Sequence, residues 1–152
     1  AQQCTVPVQI SHTDNLTLCN IRILDHDFDS PPIFIKNCRG VSVRDVTIEN
    51  TAFKGPGVLL EDCDGALVDG FILRGKTDNL TSGICFRLTT AGAFSGLRVS
   101  NVSAPAVKNA GILLEAIGKK KGTLADYVIS GNLARIQDHI QGPRAIIVNN
   151  LP

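Results

Sequence analysis

Four charged residues, Lys36, Glu61, Arg87 and Glu115, recur at near-constant intervals of 25, 26 and 28 along the chain. Cations alternating with carboxylates suit two kinds of work. They can tune one another for proton transfer, because a neighbouring charge shifts the affinity of a base for its proton. They can also pair into a ladder that fixes structural register and does no chemistry. Asp62 and Asp64 follow Glu61 closely and enrich the same region in carboxylate. The densest acidic run is Asp25-His26-Asp27-Phe28-Asp29. Asp25, Asp27 and Asp29 are weak candidate ligands for Ca²⁺, or acid–base groups beside His26; the plainer reading is a solvated acidic bend, since the spacing of an EF-hand loop is absent. No cofactor is expected otherwise. Glycoside hydrolysis needs two carboxyl groups ~5–9.5 Å apart, a requirement that bears on Glu61 and Glu115 below.

Other chemistries find no motif. There is no GxSxG, no Ser–His–Asp order, no phosphate-binding loop and no dinucleotide fingerprint. The five cysteines show neither CxxC nor zinc spacing. Cys38 and Cys63, separated by the same interval as Lys36 and Glu61, are expected to stack as thiols rather than as a bridge. The chain is 43% hydrophobic and 19% charged with a formal net charge of +1, which excludes a disordered segment and leaves no basic footprint for nucleic acid. No apolar run approaches the ~18–20 residues of a membrane-spanning helix. The 152 residues suit one domain, and the absence of Met points to a processed form or a fragment. With no Trp, one Tyr and six Phe, platforms for sugar stacking are scarce.

The elements that would position the charges come from an internal repeat. Apolar triplets begin at Val8, Ile33, Val58, Ile84, Ile112 and Ile146, in steps of 25, 25, 26, 28 and 34. A second set, at a fixed offset from the first, is Leu16-Thr17-Leu18, Val41-Ser42-Val43 and Ala66-Leu67-Val68. A third set, also at a fixed offset, is Ile21-Arg22-Ile23, Val46-Thr47-Ile48, Phe71-Ile72-Leu73 and Leu97-Arg98-Val99, with Tyr127-Val128-Ile129 as a late counterpart. Each triplet alternates with the period of a strand. The residue before the third triplet is Asn20, Asp45, Gly70, Gly96 or Asp126, and the second residue after it is Asp25, Asn50, Gly75, Asn101 or Gly131. All are turn formers that tolerate a positive φ. Three short strands and three bends per repeat describe one coil of a solenoid, whose apolar side chains are buried only when coils stack.

This pattern, from Val6 to Val148, resembles the right-handed parallel β-helix of the pectin-lyase-like family. The resemblance implies an all-β solenoid of five to six three-stranded coils. The family houses polysaccharide lyases, hydrolases and epimerases as well as phage tailspikes and adhesins, so the fold alone implies no single activity. Lyases of this kind use carboxylates to hold a metal or a uronate and a Lys or Arg as base. That implies Lys36, Glu61, Arg87 and Glu115 as the catalytic group if the chain is an enzyme, with Ca²⁺ as the metal if it is a lyase. Glu61 and Glu115 would stand two coils apart, near ~10 Å by strand spacing, which is marginal for a hydrolase.

The central residue of each first triplet would point outward, which gives a stripe through Phe34, Leu59, Cys85, Leu113 and Ile147. An apolar stripe outside a solenoid invites cover. Phe34, Leu59, Leu113 and Ile147 are therefore the expected interface of a homo-oligomer, a trimer among the options, or the floor of a ligand site. The leading expectation is an extracellular structural or assembly module, tailspike- or adhesin-like. The alternative is a small protein that processes or binds polysaccharide on its charged face. Either role places the chain outside the cytoplasm: secreted, periplasmic, or on a virion or cell surface. Residues 1–5, with Cys4, are expected to plug one end, and the other end is expected to be uncapped after Pro152, with a removed segment or a partner to cover it.

Overall fold

The computed structural model describes residues 8–105 and 107–152; the plug expected over residues 1–5 lies outside them. The described residues contain strands and turns but no helix, and so none long and apolar enough to cross a membrane. The chain winds as a parallel β-solenoid of about five turns. One sheet stacks β1 (Val8–Ser11), β3 (Ile33–Lys36), β5 (Pro56–Glu61), β7 (Ser82–Leu88), β10 (Ala110–Ala116) and β13 (Ile136–Asp138). The second stacks β2 (Thr17–His26), β4 (Arg39–Thr51), β6 (Asp64–Arg74), β9 (Arg98–Ser103), β12 (Tyr127–Ser130) and β14 (Ala145–Val148). A two-stranded sheet of β8 (Ala93–Ser95) and β11 (Thr123–Ala125) lies beside the later coils. Every named pairing is parallel, as it must be when each coil repeats the direction of the last.

The first three coils follow the sequence repeat. Ile33 pairs with Val8 and Val58, Val58 with Ile84, and Ile84 with Ile112. The second and third triplets of these coils form one long strand, bent at Asn20, Asp45 and Gly70, where φ is 56°, 52° and 82°. Asn and Asp tolerate the left-handed region better than other side chains, and Gly enters it freely. The bent strands carry Val43, Val46, Ile48, Val68 and Phe71 inward, all fully buried.

From the fourth coil the path changes. The expected stacking of Leu97 on Phe71 is replaced by Val102 on Phe71 and Val99 on Val68, a longer step than in the coils before. Residues 89–97 take up the difference by forming an extra corner that contains β8, so Phe94 pairs with Leu124 in the side sheet and does not join the Val43–Val68 column. Asn101 therefore stands over Gly70, not in the column of Asn50, and Gly96 stands over Gly65. The left-handed corners are still used, but for different bends.

The final coil is also rearranged. Ile146-Ile147-Val148 does not stack on Ile112-Leu113-Leu114; Ile136, Gln137 and Asp138 take that place, and β14 pairs with β12 in the second sheet. Asp138 faces across to Tyr127, whose hydroxyl donates to its Oδ2 at 2.5 Å and accepts the Gly142 amide at 2.9 Å. Asp138 Oδ1 also accepts the amides of Ile140 and Gln141, so the aspartate of this triplet is stabilised by hydrogen bonds while Ile136 packs on the core. Burial, reinforced by the Asp138 bond, pushes the Tyr127 phenol up to about 12 from an ordinary 10.0. The neutral phenol is therefore the form the fold favours. Its contribution is complete below pH ~10 and is lost as pH rises through the folded value near 12. Urea midpoints between pH 8 and 12 should fall more steeply for the natural chain than for Tyr127→Phe; parallel slopes would refute this role.

Candidate functional site

The four charges expected to share a face are brought together on consecutive strands of the first sheet. Lys36, Glu61, Arg87 and Glu115 pair in register across β3, β5, β7 and β10. Lys36 Nζ is 3.1 Å from Glu61 Oε1, Arg87 Nη1 is 3.9 Å from Glu61 Oε2, and Arg87 Nε is 2.7 Å from Glu115 Oε1. The chain of charges alternates and is fully paired, with Glu61 its most enclosed member at 8% exposure. Burial opposes the charge on Arg87, but its bond to Glu115 and the nearby carboxylate charges carry its proton affinity above the ordinary guanidinium value. A guanidinium held this way does not act as a base at neutral pH. Glu61 and Glu115 flank Arg87 two coils apart and both bind it, so neither is a solitary acid facing open space.

The apolar stripe runs beside this ladder: Phe34 pairs with Leu59, Leu59 with Cys85, and Cys85 with Leu113. Its middle is already closed, with Leu59 and Cys85 buried and Phe34 and Leu113 half-buried. Ile147 stands apart from the stripe, opposite Ile129 in the second sheet, and Gln137 occupies the place expected for it. Burial pushes the Cys85 thiol up to about 12, with the Glu115 charge adding to the effect, and pushes the Cys63 thiol up to about 11. Cys38 and Cys63 are buried free thiols on adjacent coils; Cys19 is the exposed free cysteine among those described.

Round the first corner lies an open groove of about 500 Å³ lined by His12, Asp14, Arg39, Asp62, Asp64 and Phe94, among others. Two of its carboxylates hold the chain itself. Asp62 accepts the Thr89 amide at 2.7 Å, the Thr90 amide at 3.3 Å and the Thr89 hydroxyl, and Asp64 accepts the Ser95 amide at 2.9 Å. His12, Asn37 and Asp62 recur at the spacing of the repeat, with φ of 53°, 53° and 52°. The turn-residue test that marks the other corners would have found this column too, but the expected bends did not include it.

The acidic run divides between support and solvent. Asp25 accepts Asn50 Nδ2 at 3.2 Å, while Asp27 and Asp29 are exposed. His26 is buried, with Nε2 2.8 Å from the Ser30 carbonyl and its ring 5.6 Å from Phe28 and 6.3 Å from Phe53. Among the described residues, no three His, Cys, Asp or Glu side chains converge as a metal-ligand set.

Exposed apolar side chains occur at Leu24, Phe28 and Ile117 and, more densely, on the last coil. Ile146, Ile147, Val148 and Leu151 are 52%, 37%, 47% and 67% exposed on the last coil, and Leu133 is 44% exposed beside them. Leu133 bridges Leu151; Ile146 and Val148 lie outward opposite Val128 and Ser130, while Ile147 lies opposite core-facing Ile129. Comparison of the chain with family models, with characterised proteins and with solved structures finds no match.

Proposed function

We propose that this chain is an extracellular structural or assembly module, a β-solenoid of the pectin-lyase-like kind that works by association, as tailspikes and adhesins do. The observation that carries this reading is the contrast between two surfaces. The charged ladder satisfies itself internally, whereas Ile146 and Val148 stand 52% and 47% exposed on the outer face of the second sheet. Exposed apolar side chains grouped in this way mark a surface suited to association. The expected partner is a further copy, so the chain is a homo-oligomer. Sedimentation over a wide concentration range tests this. The natural chain should gain mass with concentration, while Ile146→Lys should stay monomeric with an unchanged far-ultraviolet spectrum. A strict monomer at the highest concentration removes the reading.

A second reading is favoured by the position of the groove, which follows the ladder round one corner: a small polysaccharide-processing or -binding protein that uses Lys36, Glu61, Arg87 and Glu115. Pectate and alginate, with and without Ca²⁺, are the substrates to offer, with Arg87→Ala as control. Absence of both an ultraviolet-absorbing unsaturated product and oligosaccharide binding ends this reading.

A further inference from the structure

One corner of the solenoid changes width along its length. It runs from the charged ladder to the left-handed residue that opens the second sheet, which is Asn15, Gly40, Gly65, Gly96 and Asp126 in successive coils. In the first three coils the link is residues 12–14, 37–39 and 62–64; in the next two it is 88–95 and 116–125. Two wide coils therefore project beside a recess over three narrow ones. The recess is the groove of about 500 Å³ described above, with Thr90 and Phe94 of the projection as its wall.

The projection is braced and basic. The Ile117 amide donates to the Leu88 carbonyl at 2.9 Å, the Thr123 amide donates to the Gly92 carbonyl at 2.8 Å, and β11 pairs with β8. Gly122 is buried, and a Cβ there would fall 2.6 Å from the Thr90 carbonyl oxygen. Between these fixed points residues 117–121 are all exposed, and they present Lys119, Lys120 and Lys121 beside Ile117. No ion pair among the described residues includes any of these three lysines. The recess has the opposite sign. Asp14, Arg39 and Asp64 stand in register on its three coils, with Asp62 beside them. Asp62 and Asp64 accept bonds from amides and a hydroxyl, which leave their charge uncompensated, and Asp14 is exposed. Within one copy the two signs stand apart: the lysine loop is two coils from Asp64 and four from Asp14, ~10 and ~19 Å by strand spacing.

Resting on the assembly reading above, we propose that a second copy docks on this edge about a two-fold axis, the Lys119–Lys121 loop of each copy entering the acidic recess of the other. An axis across the solenoid near its third coil sets the wide coils of each copy against the narrow coils of its partner. The loop then lies over the partner's first coils, where Asp14 is the exposed acceptor. A second copy is the occupant because one edge of this chain carries both halves of the contact, in shape and in sign. A foreign acidic or basic partner would satisfy only one half. The contact is isologous and is made twice, so assembly closes at the dimer. Val128 and Ile146 lie two residues beyond the same corner on the second sheet, so the apolar surface of the assembly reading borders this edge.

Charge exchange tests the contact. The triple variant Lys119→Glu, Lys120→Glu, Lys121→Glu and the single variant Asp14→Lys should each raise the dimer Kd at least ~10-fold, because each sets like charges face to face. Mixed in equal amounts, the two variants should form a heterodimer in which each loop again meets the opposite sign at position 14. In the natural chain a zero-length carbodiimide should join a loop lysine to Asp14 of the other copy as an amide. Peptide mapping of mixed light and ¹⁵N-labelled protein identifies that link, and the covalent product should stop at the dimer. An oligomer that neither variant weakens, or that yields no such link between copies, overturns this contact and leaves assembly standing. Covalent products that run on beyond the dimer overturn the two-fold arrangement. A natural chain that sediments only as a monomer overturns the assembly reading and this contact together.

Discussion

Gly83→Ala is expected to lower the unfolding free energy by about 3 kcal/mol, the upper end of the usual cost of overpacking a core. A Cβ at this position would lie 2.8 Å from Ala104 Cβ and 2.9 Å from the Gly111 carbonyl oxygen. Both neighbours are rigid. Ala104 Cβ is fixed to its own backbone and cannot rotate aside, and a carbonyl held in the adjacent coil cannot move without shifting the strand that carries it. Gly57 and Gly111 sit in the same way, each with a backbone oxygen 2.9 Å from where an alanine methyl would fall. The column is glycine because the coil turns its corner against its own neighbour, not because φ is unusual there. Gly131 provides the contrast. It has φ of +70° and open space around it, so Gly131→Ala costs only about 1–2 kcal/mol of left-handed strain. Gly131→Asn should be close to neutral, because Asn101 and Asn149 hold the same conformation in adjoining coils. Urea denaturation of the three variants checks the ranking, and Gly83→Ala as stable as the natural chain would refute the close-approach account.

The same column shows why the first three coils could be read from the amino-acid order. Their steps are constant, and Asn, Asp or Gly marks each corner at its own offset, so the strands of residues 8–75 fall into place with their inward residues correct. The Lys36–Glu61–Arg87–Glu115 ladder was legible for the same reason, since residues in register on adjacent coils must meet. Legibility fails where one turn chemistry serves every corner. Asn101 matches Asn50 in type and offset but stands over Gly70, because residues 89–97 add a corner that nothing in the triplet pattern marks. The last coil is hidden in a different way. Ile136-Gln137-Asp138 lacks an apolar third member, and Asp138 is acceptable there because it accepts the hydroxyl of Tyr127 on the neighbouring coil and the amides of Ile140 and Gln141. Ile146-Ile147-Val148 is the better apolar triplet, so it drew an assignment that belonged to a plainer segment. Ile147 moved with it, from the first sheet to the second. Closure of the stripe at Leu59 and Cys85 was equally out of reach, because it depends on how neighbouring side chains and loops lie and not on alternation along a strand.

Asp62→Ala is the other substitution expected to act strongly, with a loss of about 3–4 kcal/mol, built from two costs. Asp62 is 6% exposed and has φ of 52°. Alanine would strip the acceptor from the Thr89 and Thr90 amides and from the Thr89 hydroxyl, bonds of the charge-assisted kind that contribute ~1.5–3 kcal/mol together with the penalty of leaving donors unmet. It would also leave a left-handed backbone with no side chain suited to it, at roughly a further 1 kcal/mol. Asp62→Asn retains an oxygen and the conformational tolerance, and should cost about 1 kcal/mol. Equal stability of the two variants would show that Asp62 does not hold this bend. Where the loss falls is as informative as its size. Residues 89–97 are where the coil path changes, so Asp62 secures the segment that sets the register of everything after it. Amide exchange in Asp62→Ala should quicken at Thr89 and Thr90 and through β9, while the paired amides of β2 and β4 keep their protection. A carboxylate that first stood as a candidate for chemistry is then a structural anchor of the coil. The groove it lines takes its shape from that anchoring, so any ligand test at this corner needs Asp62→Asn, not Asp62→Ala, as its control.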